Sequence, residues 1–411
     1  MIVEEKLEQT QKSFVLPRIT KLANLNNWPS AVACTAQINE LIPELCRLPY
    51  DYLYRDDPEA FAECSLLVWE YTGVDKLSSN LDIYNFEAES AGAGLVFSPD
   101  CMPAIDHTNR LVKDSSDLSK VRFNGLGSGR LAYLLRYYRA WQALSGINTY
   151  PTFCAPFSLA CSLFGLDNLL VAALDDPDFV QSLLARCVDD LLGPYVAAVC
   201  SELPGMPSIS CADAWFSLPL INLDMMEQYE SFLYRLRFAA SSDLPVTSGA
   251  IWGFSYLRGL DLDRLTDLLL RVSGSLTVLD PDVANIGPEY FRGAADRRGV
   301  ALTLGLSSNL MLTGSVAEVV SRVRRYVLVG KDGHTPFTLF LNNLAPRTPL
   351  ENIFAAVTAV ATYGAVGATA ETAFDMPTIE PFEKFLVRKM ADSSVGYSFD
   401  WLSRSGYSYL L

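Results

Sequence analysis

The sequence predicts an α/β fold, a (β/α)8 TIM barrel that follows an N-terminal helical extension. Short apolar segments alternate with helical segments from about residue 150 onwards, without a fixed-period repeat. Strands and helices that alternate along a chain are typical of a parallel sheet covered by helices. Six such units lie within about 220 residues, which favours a closed barrel over an open sheet. We place the helical extension at 1–45, the barrel at 46–370 and a tail, packed on the barrel or on a partner, at 371–411.

The predicted strands are short and apolar. Six lie in the regular part of the chain, at 150–155, 208–213, 244–248, 276–280, 300–305 and 337–342. The segments 30–36 and 93–98 are two further strand candidates, which brings the number to the eight that a barrel needs.

The helices begin at residues that are suited to capping. Asp57 precedes a proline and an apolar helical pattern that extends to residue 71. Asp176, Asn222 and Ser315 precede three later helical segments in the same way. These side chains accept hydrogen bonds from the unpaired amides of a first helical turn, so each helix start has a physical cause.

The charge of the chain argues against nucleic acid and membrane surfaces as partners. The 47 acidic residues outnumber the 32 basic ones, and the formal charge is −15. A field of that sign repels phosphate backbones and anionic lipid. No uncharged apolar stretch reaches the roughly 18 residues that a membrane helix needs.

The nine cysteines form no CxxC pair, and several lie in apolar segments. This pattern predicts buried free thiols in a reducing compartment. The first residues lack a basic region followed by an apolar one, so no signal peptide is expected. The predicted location is the cytoplasm.

Two conspicuous features receive no functional role. The glycine-rich segment 125–130 lacks the spacing of a dinucleotide or phosphate loop, so we interpret it as a turn before a helix. His107 and His334 are the only histidines, which excludes a site built from several of them. We interpret both as loop or surface residues.

The segment 82–92 concentrates three carboxylates, an amide and a phenol. Asp82 and Glu87 are candidate proton donors if burial raises their pKa, and Tyr84 and Asn85 are candidate hydrogen-bond partners of a substrate. A capped helix with a solvated acidic face is the alternative interpretation.

A second group of candidates follows the predicted strands. In a barrel, the carboxyl ends of the strands face the active site, so Asp213, Ser248, Asp280 and Asn342 would be neighbours. A Trp-Phe pair, Trp215 and Phe216, comes directly after the first of them and offers a flat apolar wall. A capped core strand is the alternative interpretation of this segment.

Several segments together resemble the uroporphyrinogen decarboxylase superfamily. They are DIYNFEAESAG at 82–92, CMP at 101–103, SSDL at 115–118, APFSLA at 155–160, LDDPDFV at 174–180, TPLEN at 348–352, AAV at 355–357 and YG at 363–364. The similarity covers roughly residues 45 to 365, and each segment alone is a weak signal. The resemblance implies a (β/α)8 barrel, in agreement with the alternating strands and helices.

The superfamily contains decarboxylases of a tetrapyrrole precursor and methyltransferases that move methyl groups to or from the cobalt of a corrinoid protein. The decarboxylases carry an arginine-rich stretch ahead of the family aspartate, near which Asp82 falls. No such stretch precedes Asp82 here, and the resemblance therefore favours the methyltransferase branch.

Members of that branch that activate thiols bind zinc through a His-x-Cys pair and a later cysteine. Alignment of the segment 245–249 places Val246 and Ser248 at the first two ligand positions, and Asn342 falls at the third. We expect no zinc at this family site and no thiol methylation. A carboxylate-based zinc site that includes His107 or His334 is left open.

The resemblance thus implies an enzyme that transfers a methyl group from a methylated small molecule to a corrinoid (cobalamin) carried by a partner protein. The methyl donor would be of the O-methyl aromatic or methylamine type. Asp82, Glu87 or Asp213 would protonate the leaving group, and aromatic residues such as Trp252 would line the pocket. The alternatives are a uroporphyrinogen-type decarboxylase and an inactive barrel; a homodimer is also left open.

Overall fold

A computed structural model provides the structure of the chain. It describes residues 32–77, 81–82, 84–148, 151–203, 205, 209–239, 246–248, 257–392 and 396–411. Within these residues the α/β prediction is confirmed.

Ten strands are present in the described part of the chain, and eight of them run parallel. The strands are β1 Ala33–Ala36, β2 Lys76–Leu77, β3 Leu95–Val96, β4 Ala104–Ile105, β5 Thr152–Cys154, β6 Ile209–Ala212, β7 Val246–Ser248, β8 Ser275–Leu279, β9 Ala301–Leu306 and β10 Phe337–Leu341. One parallel sheet has the order β2-β1-β10-β9-β8, and a second has the order β5-β6-β7. Strands β3 and β4 form a separate antiparallel pair.

The order of the eight parallel strands is the order of a (β/α)8 barrel. Within the described residues, no ladder joins β2 to β5 or β7 to β8, so closure of the barrel is not observed. The closed eight-stranded barrel therefore stays a prediction.

Sixteen α-helices lie in the described ranges. They are α1 Leu41–Cys46, α2 Pro58–Thr72, α3 Asn85–Ala91, α4 Leu131–Ser145, α5 Pro156–Phe164, α6 Leu166–Asp175, α7 Pro177–Arg186, α8 Gly193–Glu202, α9 Leu223–Ala239, α10 Leu262–Val272, α11 Asp282–Ile286, α12 Pro288–Arg298, α13 Ser308–Thr313, α14 Val316–Lys331, α15 Leu350–Tyr363 and α16 Phe382–Met390. Single turns of π-helix occupy Tyr52–Asp56 and Cys187–Leu192, and 3-10 turns occupy Ser115–Lys120, Asp400–Arg404 and Ser408–Leu410.

The predicted caps are present at four helices. Asp57 accepts from the amide of Ala60, Asp176 from that of Phe179 and Asn222 from that of Met225. Ser315 and Glu318 cap the start of α14 reciprocally, as in a capping box. The polar residues ahead of these helices therefore end up where their sequence position predicts.

Two predictions about the strands need correction. Strand β1 pairs with β10 along four residues, so the sheet begins ahead of the boundary placed at residue 45. The candidate 93–98 supplies β3, which lies outside the parallel sheets, and the second parallel strand is the two-residue β2. Val96 of β3 is 56% exposed, which does not suit a strand buried on both faces.

The facing of the strand residues follows from two glycines. A Cβ on Gly330 of α14 would lie 2.5 Å from the Phe337 ring, so Phe337 faces the helices. Because side chains alternate along a strand, Phe340 faces the opposite, inner side. Phe340 is in register with Gly305, and Gly305 with Leu279, whose side chain occupies the space above that glycine.

Among the described residues, no single helix is long and apolar enough to cross a membrane. Helices α5 and α6 reach the required length only as a pair, across a bend of 106°.

The C-terminal segment packs on helix α2 through a buried carboxylate. Glu63 is 4% exposed and accepts from the amides of Ser398 and Phe399, each at 2.8 Å, and from Nε1 of Trp401 at 2.9 Å. Burial raises the pKa of Glu63, while these three donors lower it. The C-terminal segment is thus held on α2 by hydrogen bonds to one buried carboxylate.

We expect Glu63→Gln to detach this segment, because the amide nitrogen would face donors instead of accepting from them. Hydrogen bonds to a charged group contribute about 1.5–3 kcal/mol, so the free energy of unfolding should fall by about 2–3 kcal/mol. Denaturant titration and limited proteolysis after residue 390 would measure the loss. Glu59→Gln, on the exposed side of the same helix, is the control; an equal effect of both variants would contradict the anchor.

Candidate active site

The candidate site begins in the loop that connects β2 to α3. Asp82 has φ 44 and Tyr84 has φ 83, so both lie in the left-handed region that residues with a Cβ rarely adopt. Strained backbone of this kind is found at functional sites, where the surroundings hold it in place.

Asp82 is the first of three buried carboxylates and is 1% exposed. Its side chain accepts from Nδ2 of Asn85 and from Nη2 of Arg130, each at 2.5 Å. The same amide of Asn85 donates to the carbonyl of Pro103 at 2.9 Å. Burial raises the pKa of Asp82 to about 6, although Arg130 acts in the opposite direction. Asn85 therefore orients the carboxylate.

Arg130 joins the loop to its surroundings. Its Nε donates to Glu89 at 3.0 Å and its Nη1 to the carbonyl of Tyr54 at 2.5 Å. A Cβ on Gly129 would lie 2.7 Å from Cγ of Glu89, so a glycine permits this approach. Sequence reasoning gave the segment 125–130 no role and missed this residue. A lone arginine directly after a glycine-rich turn was the available signal.

Glu87, on α3, is 2% exposed and has an unequal environment at its two oxygens. Oε1 accepts from the amide of Cys154 at 2.9 Å, whereas Oε2 is buried without a hydrogen-bond partner. Burial raises the pKa of Glu87 to about 7. Near neutral pH a proton therefore resides on this group for much of the time, and Oε2 is the oxygen with room to carry it.

Asp213 follows β6 and lies at the N-terminus of α5. It accepts from the amide of Ser158 at 2.7 Å, from its hydroxyl at 2.5 Å and from the amide of Phe157 at 3.3 Å. The N-cap residue Ala155 has no acceptor of its own, so Asp213 caps this helix. Burial raises the pKa of Asp213 to about 7 even though the donors lower it. Asp213 is thus compatible with both interpretations of this segment: it is a capping residue at the end of a core strand, and it is a candidate proton donor.

Tyr84 and Cys154 lie between the carboxylates. The Tyr84 hydroxyl accepts from the amide of Ala214 at 3.4 Å. Burial raises the pKa of this hydroxyl, and the nearby Cys154 and Asp213 raise it further. Burial raises the pKa of the Cys154 thiol, and Glu87 and Asp213 raise it further. The Cys154 amide donates to Glu87, and Cys154 pairs with Ala212, the residue before Asp213, so Glu87 and Asp213 belong to one cluster.

The two aromatic candidates after Asp213 have different environments. Phe216 is 2% exposed and packs on Phe157 with ring centroids 5.5 Å apart, so it belongs to the core and not to a substrate wall. Trp215 is 41% exposed and is free to contact a ligand. Trp252 lies outside the described residues. Of Ser248 only the backbone is described, and it is in register with Cys211.

Asp280 does not join the three carboxylates. It accepts from Arg322 at 2.7 Å and from the hydroxyl of Tyr326, both on α14. Since Leu279 faces inward, the next residue faces the helix layer. Its predicted place in the pocket is therefore wrong, and it belongs to an ion-pair cluster between the sheet and α14.

Asn342 directly follows β10. Because side chains alternate along a strand, it faces inward as Phe340 does. It is 6% exposed, and its Oδ1 is buried without a hydrogen-bond partner. Such an orphaned acceptor costs about 1–3 kcal/mol, so a donor on a ligand would be favoured here. Its substrate-binding role stays a prediction.

No group of three His, Cys, Asp or Glu side chains lies together as metal ligands in the described ranges. His107 and His334 are both exposed. The residue types at the family zinc positions also fit a metal poorly, because Val246 has no donor atom and Asn342 has only a neutral amide.

The three carboxylates and Arg130 all fall within one segment with a known relative. Residues 52–218 match the family model for uroporphyrinogen decarboxylase (URO-D). Over this segment the chain is similar to the URO-D family. The resemblance inferred from the sequence is confirmed there, while the matched range is shorter than the roughly 45 to 365 inferred from motifs.

Solved structures extend the likeness beyond the URO-D segment. Twenty-two chains match, and one of them is a methyltransferase from Methanosarcina mazei with a TM-score of 0.67 and 20% sequence identity. That alignment covers 84% of this chain and 98% of the other. It shows a shared fold. No curated protein sequence matches this chain.

We expect Arg130→Gln to leave a buried carboxylate in the URO-D segment without its counter-charge. Breaking a buried ion pair costs about 3–5 kcal/mol. Without Arg130, the pKa of Asp82 rises further above its unfolded value, so stability is lost as the pH increases. The free energy of unfolding should therefore fall more at pH 8 than at pH 5. Arg136→Gln removes an exposed arginine of α4 and should cost less than about 1 kcal/mol at either pH; equal losses at both pH values for Arg130→Gln would contradict the ion-pair role.

Glu87→Gln should make the protein less sensitive to pH. A folded pKa of about 7 against 4.5 in the unfolded chain means that the folded state holds an extra proton between those values. Stability is therefore lost as the pH rises from 4.5 to 7, by about 3 kcal/mol at most for this group. Glutamine mimics the protonated acid and removes that loss. Denaturant titrations from pH 5 to 8 would test this, with exposed Glu289→Gln as control; an unchanged slope would show that Glu87 titrates normally.

Proposed function

We propose that this protein is a methyltransferase that passes a methyl group from a methylated small molecule to the cobalt of a corrinoid protein. The observation that carries the proposal is the cluster of Glu87 and Asp213, two buried carboxyl groups with pKa values raised to about 7. The similarity to a methyltransferase fold supports the methyltransferase branch of the family.

The part of the substrate that loses its methyl group is a poor leaving group, and protonation helps it to leave. When the corrinoid is bound, its cobalt supplies the nucleophile for the methyl group. The O–CH3 bond of an aryl ether would then break, and a phenolate would leave. An acid with a pKa near the working pH protonates this phenolate most effectively. Glu87 fits this task because its Oε2 is buried and has no partner within the protein.

The other residues of the cluster hold and orient the carboxylates and the substrate. Asn85 and Arg130 hold the carboxylate of Asp82, and the backbone of Cys154 holds one oxygen of Glu87. The burial of Tyr84 keeps its hydroxyl protonated, so it can donate to a substrate oxygen. Water is largely excluded from the three carboxylates, which strengthens each of these interactions.

The decarboxylase alternative has less support from the side chains. A substrate with many carboxylates needs several arginines with free donors, not one. The buried guanidinium in the cluster, Arg130, is already bonded to Asp82, Glu89 and the Tyr54 carbonyl. No step through zinc is part of the proposal.

A methyl-transfer assay tests the proposal directly. The protein is mixed with a reduced corrinoid protein and a panel of methoxylated aromatics and methylated amines, and the loss of cobalt(I) is followed by visible absorbance. We expect turnover with one class of donor. Glu87→Gln should slow it by about 10²–10⁴-fold, because the acid is lost.

The pH dependence provides a second readout. The rate should fall as the pH rises through about 7, where Glu87 loses its proton, and Glu87→Gln should lack this limb. Glu289→Gln, an exposed change, should keep the wild-type profile. Tight binding of a carboxylated porphyrinogen without any methyl transfer would instead support the decarboxylase, and neither activity would favour an inactive barrel.

A further inference from the structure

A cavity of about 320 Å³ is lined in part by Trp215, which follows Asp213 in the loop after β6. This volume is at the lower end of the range for small-molecule pockets. Its walls come from the loop after β4, from α5 and the start of α6, and from the loop after β6. The lining residues are His107, Arg110, Cys161, Ser162, Gly165, Leu166, Asp167 and Trp215.

Arg110 packs against a glycine. A Cβ on Gly165 would lie 2.5 Å from Cζ of Arg110 and 2.8 Å from its Nε. The backbone at this glycine also has φ 97, which disfavours other residues. The guanidinium therefore rests against the bare backbone of Gly165.

The donors of this guanidinium are mostly unused in the described structure. An arginine offers five N–H groups. Arg110 donates to Oδ1 of Asp167 at 3.3 Å, and its Nε is buried without an acceptor. The Asp167 side chain is 78% exposed, and exposed ion pairs of this kind contribute little. An anionic ligand would therefore gain more from Arg110 than Asp167 does.

The cavity also has an aromatic lining residue, Trp215, whose side chain is 41% exposed. The backbone amide of Trp215 donates to the hydroxyl of Ser158 at 3.1 Å, and that hydroxyl donates in turn to Asp213 at 2.5 Å. The backbone of Trp215 is thus linked to a buried acid, and its indole offers a flat surface for a ring.

The remaining lining residues add no negative charge. Cys161 is 2% exposed, and burial raises the pKa of its thiol, so it is neutral. The hydroxyl of Ser162 donates to the carbonyl of Ser158 at 3.1 Å. Within a chain of charge −15, this cavity combines a cation with an exposed aromatic side chain.

We propose that this cavity binds the carboxylate of a flat aromatic methyl donor, with the carboxylate on Arg110 and the ring on Trp215. The proposal rests on the methyltransferase function and names the substrate class, a methoxylated aromatic acid. The carboxylate would accept from the free donors of the guanidinium in place of Asp167, and the ring would lie on the Trp215 indole.

Binding without the corrinoid partner tests this subsite separately from turnover. Calorimetric titration compares 4-methoxybenzoate with 4-methoxybenzamide, a neutral molecule of the same shape. We expect the acid to bind at least tenfold more tightly. Arg110→Gln should weaken binding of the acid by at least tenfold and leave the amide within about twofold, since a charge-assisted hydrogen bond is lost only for the acid.

Three further variants sharpen the experiment. Arg186→Gln, an exposed arginine on α7, is the matched control and should change nothing. Asp167→Asn should tighten binding of the acid because it removes the competing anion. Trp215→Leu should weaken both ligands. Equal binding of acid and amide, or no measurable binding of the acid, would overturn the subsite.

The outcomes separate the two proposals. Binding of the acid that depends on Arg110, without methyl transfer to any corrinoid protein, would keep the subsite and contradict the methyltransferase function. Methyl transfer from neutral methoxyarenes that Arg110→Gln leaves unchanged would keep the function and overturn the subsite.

Discussion

The ion pair between Asp82 and Arg130 is the constraint on which the candidate site depends. One guanidinium connects the loop after β2, the helix α3 through Glu89 and the π-helical turn through the Tyr54 carbonyl. The loop and α3 are adjacent in the sequence, whereas Tyr54 lies well before them and Arg130 lies 48 residues after Asp82. The left-handed backbone at Asp82 is held because this network over-determines it.

Around this pair, the fold removes water from carboxyl groups whose partners only partly compensate. Asp82 has an arginine, Asp213 has the amides of a helix N-terminus, and Glu87 has one amide for two oxygens. The charged partner distinguishes Asp82, whose pKa is raised to about 6, from Asp213 and Glu87, whose pKa values are raised to about 7. Stability is thereby given up in exchange for groups that change protonation near neutral pH, which is typical of catalytic sites.

The sequence predicts the elements better than their environments. Alternation of strands and helices, together with capping residues such as Asp57 and Ser315, is local information, and it predicts the α/β class and several helix starts. Residues 82–92 also identify the densest part of the site, because polar groups rarely cluster beside an apolar segment without a reason. The resemblance to known proteins then restricts the possible chemistry.

The environment of a side chain depends on its place in the alternation along a strand and on partners that are distant in the sequence. A sequence pattern shows neither of these. Asp280 ends its strand as Asp213 does, yet the inward-facing Leu279 turns it toward α14. Phe216 sits beside Trp215 in the sequence, but only Trp215 is exposed. The position of Arg130 depends on Glu89 and Asp82, which are 41 and 48 residues away, so the glycine-rich turn before it marks a candidate residue but does not predict these contacts.

The contact between Glu63 and residues 398–401 has a consequence for anyone who shortens this chain. A boundary drawn after residue 370, beyond the last motif of the resemblance, would remove the donors of residues 398–401 that satisfy a 4% exposed carboxylate. It would also uncover the α2 surface against which Trp401 packs its indole. Leu411, in contrast, is 72% exposed, so an affinity handle fused behind it would leave the contact intact. The natural place to modify the protein is therefore its last residue and not the edge of its recognisable family.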